Sequence, residues 1–234
     1  MNSATFKLQG CDTLNFVRAL PDSAARRVVM SWNEPKVSAC DGVAFSVPQG
    51  SLYSNVACGV LKVNEADTAA GILSDVWSFV AEGAALHQPA QISFAVPDAD
   101  SSSVGTLLIA RVAKDGKRVA EGGRYEDGEV TARVGFGTYC VAADTVAPKI
   151  TPALGKENRT SDTGRFSVKL TDDFSGVKDF RVEVDGVWAL SMFKSGRITV
   201  WLDNERHGRG SHTVKVTATD ACNNKSEKNF NIIW

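Results

Sequence analysis

Apolar and polar positions alternate with a period near two over most of the chain, and helical spacing is almost missing. In the first half, alternating or continuously apolar runs occupy 13–18, 26–32, 43–47, 58–63, 74–80, 90–96, 106–113, 130–134 and 138–142. They are rich in Val, Ile and Phe and are separated by Gly, Asp, Asn and Pro, so each predicts a strand. Asp115-Gly116 and Asp127-Gly128 predict tight hairpins, because glycine supplies the positive φ of a type I′ turn. The one helix-like stretch, 65–73, is weakened by Gly71. Beyond the middle, a short run at 149–151 precedes six more, at 165–170, 179–184, 187–192, 197–202, 212–219 and 229–233, with Asp185-Gly186 as a further hairpin. Seven short strands with turns about every 8 to 12 residues are the pattern of an immunoglobulin-like sandwich.

Between the two halves lies Asp144-Thr145-Val146-Ala147-Pro148-Lys149-Ile150-Thr151-Pro152. Neither proline can occupy a helix interior or a central strand, and each drives its predecessor toward extended backbone. The stretch therefore reads as a stiff connector between two domains. The expected fold is all-β: two tandem β-sandwich domains, 1–143 and 144–234, the second Ig-like.

Composition narrows the function classes. The chain has 234 residues, 43% hydrophobic and 23% charged, enough for two working cores. A net charge of −1, with no Lys/Arg stripe along the sequence, argues against a nucleic-acid binder. No apolar run approaches the roughly 20 residues of a membrane helix. The N-terminus shows no signal peptide, and it opens on strand-like sequence, which points to domains upstream of Met1. Five cysteines (Cys11, Cys40, Cys58, Cys140 and Cys222) include no C-x-x-C pair and read as small buried hydrophobes. If the protein is exported, one disulfide among Cys11, Cys40 and Cys58 is open.

A series of ordered motifs carries a resemblance. Gly122-Gly123-Arg124-Tyr125-Glu126-Asp127-Gly128, Phe136-Gly137-Thr138-Tyr139 and Asp144-Thr145-Val146-Ala147-Pro148 come first. They are followed by Asp172-Asp173-Phe174-Ser175-Gly176-Val177, by 182–190 and by Val216-Thr217-Ala218-Thr219-Asp220. Together they resemble the C-terminal, non-catalytic β-rich region of secreted lysostaphin-like zinc metallopeptidases of the Bacteroidota. Asp41-Gly42-Val43 through Leu52 also looks like the opening of ZU5-type β-sandwiches. The resemblance implies a periplasmic, cell-surface or secreted location. It implies a spacer, stabilising or targeting role beside a peptidase domain, with peptidoglycan, a surface glycan or that domain as partner. The alternative is a stand-alone adhesion or glycan-binding protein.

This chain departs from the family at the zinc site. Catalytic zinc takes three protein ligands and an open position. The family draws its ligands from a His with an Asp four residues on and from a later His-x-His pair. Only His87, His207 and His212 are present; Gln91 stands four beyond His87, and the other two lie five apart. The chain is read as no enzyme. His207 and His212 flank a Gly-Arg-Gly-Ser turn and are expected to be solvated, with His87 at a sandwich rim.

Two binding sites remain as candidates. Asp144, Asp172, Asp173, Asp220 and Asn223 are a calcium set if the fold gathers them; otherwise Asp172 and Asp173 cap a turn and Asp220 with Asn223 builds another. Apart from calcium, no cofactor is expected. Among Trp32, Trp77, Trp188, Trp201 and Trp234, the pair Trp188 and Trp201 sits at alternating strand positions. Each is either core or an exposed ring that stacks on a glycan.

Overall fold

In the computed structural model, residues 4–6, 14–16, 25–97, 99, 103–153 and 163–234 are described. Cys11 and the flanks of the expected 13–18 strand lie outside them. The chain divides into two compact units after Ala143, and the described residues are nearly all strand and turn, with two short 3₁₀ turns and no α-helix.

The first unit packs two antiparallel sheets face to face. One runs from edge to edge as Arg118–Gly122, Leu107–Val112, Gly137–Ala143, Val76–Val80, Val56–Asn64 and Ala25–Met30. The other runs as Arg124–Glu126, Glu129–Val134, Ala90–Ala95, Val43–Val47 and Lys36–Cys40. Inward residues of both form one core around Phe45, Phe79, Ile92, Ile109 and Val130. The Phe45 and Phe79 rings stack across the sheets at 4.5 Å. Tyr139, 1% exposed, donates its hydroxyl to the Gly135 carbonyl at 3.1 Å and closes one corner. A separate small ladder pairs Ala4–Phe6 with Leu14–Phe16.

The second unit is a four-on-four sandwich. One sheet runs Lys149–Pro152, Arg165–Thr171, Arg197–Trp201, Ser191–Lys194; the other runs Val187–Trp188, Val177–Val184, Ser211–Asp220, Lys225–Ile233. This strand order is that of an Ig-like fold with one extra edge strand. Val168, Leu170, Ile198 and Val200 meet Val182, Val216, Phe230 and Ile232 in the core. Phe166 and Phe230 lie 5.3 Å apart.

Several local expectations are corrected. The helix-like 65–73 is a single 3₁₀ turn at Thr68–Ala70, capped by Asp67 and closed by Gly71 at φ 71°. No apolar face forms on it, which is why no longer helix is supported. The run at 187–192 is two strands on different sheets, because the chain crosses from one to the other at Ala189 and Leu190. Asp127-Gly128 and Asp185-Gly186 have the two positive φ values of a type I′ turn. Asp115-Gly116 does not: only Gly116 is left-handed, and the loop closes with Ala113 N–H donating to Lys117 O. The proline-marked stretch, expected as a stiff connector with a short strand at 149–151, opens the second unit. Its residues Lys149–Pro152 form an edge strand, where a missing N–H costs nothing.

Candidate functional site

The fold brings together three of the five residues in the expected oxygen set. Asp144, Asp172 and Asp220 each place a carboxylate oxygen within 4.8 Å of the others. Asp144 is 3% and Asp220 0% exposed. Burying charge is costly unless hydrogen bonds replace water. Here six N–H groups do so. Asp144 accepts from Val146 N–H (3.0 Å) and Ser175 N–H (2.9 Å). Asp172 accepts from Phe174 N–H (3.1 Å) and Gly176 N–H (2.6 Å). Asp220 accepts from the backbone and side-chain N–H of Asn224, both at 2.8 Å. The Asn224 amide also donates to the Asp144 carbonyl at 2.9 Å. Burial pushes the neighbouring Cys222 thiol up, and Asp144 and Asp220 push it the same way.

Asp173 and Asn223 do not join this group. Asp173 is exposed, and Asn223, in the left-handed region at φ 66°, accepts from Lys178 at 3.1 Å on the surface. The adjacent Asn224 takes the inward place. Calcium wants six to eight oxygens; the three carboxylates carry about twelve lone-pair sites, and N–H donors take six of them. Asp172 Oδ2 is the one carboxylate oxygen of the three that is buried without a partner. The six N–H donors tie the three carboxylates into a hydrogen-bonded clasp.

The histidines are committed elsewhere. His212, expected in solvent, is 6% exposed, with Nδ1 2.7 Å from Asp185 Oδ2 and Nε2 3.3 Å from the Gly208 carbonyl. His207 Nδ1 accepts from Asp203 N–H at 3.2 Å. His87 is exposed at a rim, 3.2 Å from the Tyr53 hydroxyl. Among the described residues, none of the three is hydrogen-bonded to a Ser, Thr or Cys side chain.

Both singled-out tryptophans are on the surface: Trp188 is 55% and Trp201 45% exposed. Register shows that they face opposite ways. Trp188 pairs with Glu183, between inward Val182 and Val184 on one sheet. Trp201 pairs with Arg165, beside inward Phe166 and Val200 on the other. The two rings cannot form one platform. Trp77 is core, Trp32 is 52% exposed, and Trp234 packs on the second core under the Arg209 guanidinium, 4.6 Å from its ring.

Around Trp201 lies a feature that linear sequence hides. The outward positions of its sheet carry Lys149, Arg165, Lys169, Lys194 and Arg197, all exposed, and its four strands contain no Asp or Glu. A search for a Lys/Arg stripe misses them because they come from four strands. The signal was there in the alternation: each occupies the polar phase of its strand. In the first unit, a hollow of about 540 Å³ lined by Phe79, Arg111, Val119 and Phe136 gathers no cluster of titratable groups.

A family model described as a Zu5-like domain matches residues 27–144, just over half of the chain. Among solved structures, the fibronectin(III)-like modules of CbhA from Clostridium thermocellum align at 15% identity and TM-score 0.30. That alignment covers 62% of this chain and 85% of theirs. A polysaccharide lyase aligns at 8% identity and TM-score 0.26, over 97% of this chain and 38% of the lyase. No curated protein sequence matches the chain.

Proposed function

We propose, from the premise that this chain belongs to the Zu5-like domain family, that it is a non-catalytic accessory module of a bacterial envelope or secreted protein and binds a glycan. The observation that carries this reading is Trp201, 45% exposed on the outward face of a rigid sheet. An aromatic ring held flat on a strand covers a sugar face at little entropic cost, and a neighbouring polar row supplies hydrogen bonds. The resemblance of the ordered motifs to the C-terminal region of lysostaphin-like metallopeptidases supports a place beside a peptidoglycan-cutting domain, whose target such a module would hold or space.

A pull-down of the purified chain on insoluble peptidoglycan, with a glycan array beside it, tests the reading. Saturable binding that is lost in Trp201→Ala and kept in Trp188→Ala is the expected result, since the two rings face opposite ways. No binding to any glycan would end the binding role and leave a spacer.

A further inference from the structure

We infer that the outward face of the Lys149–Pro152, Arg165–Thr171, Arg197–Trp201, Ser191–Lys194 sheet is a docking surface for an acidic polysaccharide carrying a carboxylate on its repeating sugars. The inference rests on the glycan-binding reading and adds the charge of the ligand. Three of the cations stand in one row: Lys169 is directly opposite Arg197, and Arg197 directly opposite Lys194. Adjacent strands lie about 4.8 Å apart, so this row spans three strands over roughly 10 Å. Like charges at directly opposed positions destabilise a sheet. Folding alone gives no reason for the row, whereas a bound polyanion removes the repulsion.

The other sheet of the same sandwich treats its outward charges differently. There Arg181 pairs with Glu183 at 2.7 Å and Lys215 with Glu227 at 3.0 Å. Among the described residues, Lys149, Lys169, Lys194 and Arg197 have no such carboxylate partner. A chain with a net charge of −1 therefore concentrates positive charge on one flat face. Charge complementarity selects an anionic partner for it. Trp201 at the end of the same face selects a partner with rings to stack, and an acidic polysaccharide meets both demands. Met192, 47% exposed opposite Thr199, adds an apolar step between the cationic row and the tryptophan.

The test measures binding to polygalacturonate, to its neutral methyl-esterified form and to duplex DNA, at low and physiological salt. The intact chain is expected to bind polygalacturonate best and to weaken as salt screens the contacts. The double variant Lys169→Gln/Arg197→Gln is expected to bind about tenfold more weakly. Lys225→Gln, on the opposite sheet, should bind like the intact chain. Because the double variant removes like-charge repulsion, its thermal midpoint should be unchanged or higher, which separates lost binding from lost fold. Equal, Trp201-dependent binding to the neutral and charged polymers would overturn the inference and leave the glycan reading standing. Equal or tighter binding to DNA would also overturn it. No binding to any glycan, peptidoglycan included, would remove both.

Discussion

At the scale of single residues, the carboxylate cluster makes the sharpest demands. Asp220 is fully buried and serves both N–H groups of Asn224. Asp220→Ala would leave those donors unpaired and is expected to destabilise the second unit by about 3 kcal/mol, measured by urea unfolding. Asp173→Ala, at an exposed position beside the cluster, should change stability by less than about 0.5 kcal/mol. A clasp of this kind should unfold at the same midpoint in calcium and in chelator; a midpoint raised by calcium would make the group a cation site. In the first unit, the Tyr139 hydroxyl holds the Gly135 carbonyl, and Tyr139→Phe should cost about 1 kcal/mol in the same assay. Gly137 sits under that ring: a Cβ there would stand 2.8 Å from the hydroxyl oxygen. Gly137→Ala is expected to cost about 1–3 kcal/mol through overpacking. The glycine at 137 is thus explained by the tyrosine it accommodates.

At the scale of elements, legibility followed burial contrast. Ser211–Asp220 alternates buried and open positions along most of its length, and its expected span of 212–219 fell within the strand. Lys36–Cys40 was missed because it is an edge strand whose one buried residue is the polar Ser38, so hydrophobic spacing is silent there. Asp41-Gly42, with both φ values positive, was the available sign that a strand stood on each side. The crossing at Ala189 and Leu190 was invisible because apolar spacing does not say which sheet a strand joins. The same blindness to pairing hid the cationic face. One hairpin shows how elements are locked to each other. Asp185, in the turn before Val187–Trp188, accepts from His212 at 2.7 Å and from Thr213 N–H at 2.8 Å, tying the turn to Ser211–Asp220. Those two bonds hold its carboxyl below the usual range. A depressed folded value means that the stabilisation is present above the unfolded value of 3.8 and is lost as pH falls through the lower folded one. Acid unfolding followed by far-ultraviolet circular dichroism should therefore show Asp185→Asn losing part of the pH dependence below about 4.

At the scale of the whole molecule, two separate cores make separate responses possible, and pH is the lever that distinguishes them. In the first unit, burial raises Cys58 from 9.0 to about 12, Cys140 from 9.0 to about 11 and Tyr139 from 10.0 to about 12. All three are core residues, at most 1% exposed. In each case the folded state holds the proton more tightly than the unfolded chain. The contribution is thus complete below pH 9, where both states are protonated, and is lost as pH climbs toward 12 and the unfolded chain ionises first. Among the described residues of the second unit, Cys222 is the one raised thiol, and the core is otherwise free of groups that ionise in this window. Thermal unfolding between pH 8 and 11 is therefore expected to move the first unit's transition down faster than the second's. A chain of residues 144–234, which has its own core, should fold alone and reproduce the less sensitive transition. Replacing Cys58 and Cys140 with Ala should flatten the alkaline slope of the first unit without touching the second. A single transition that shifts as one, in the full chain and with 144–234 unfolded on its own, would show instead that the second core stands only with the first.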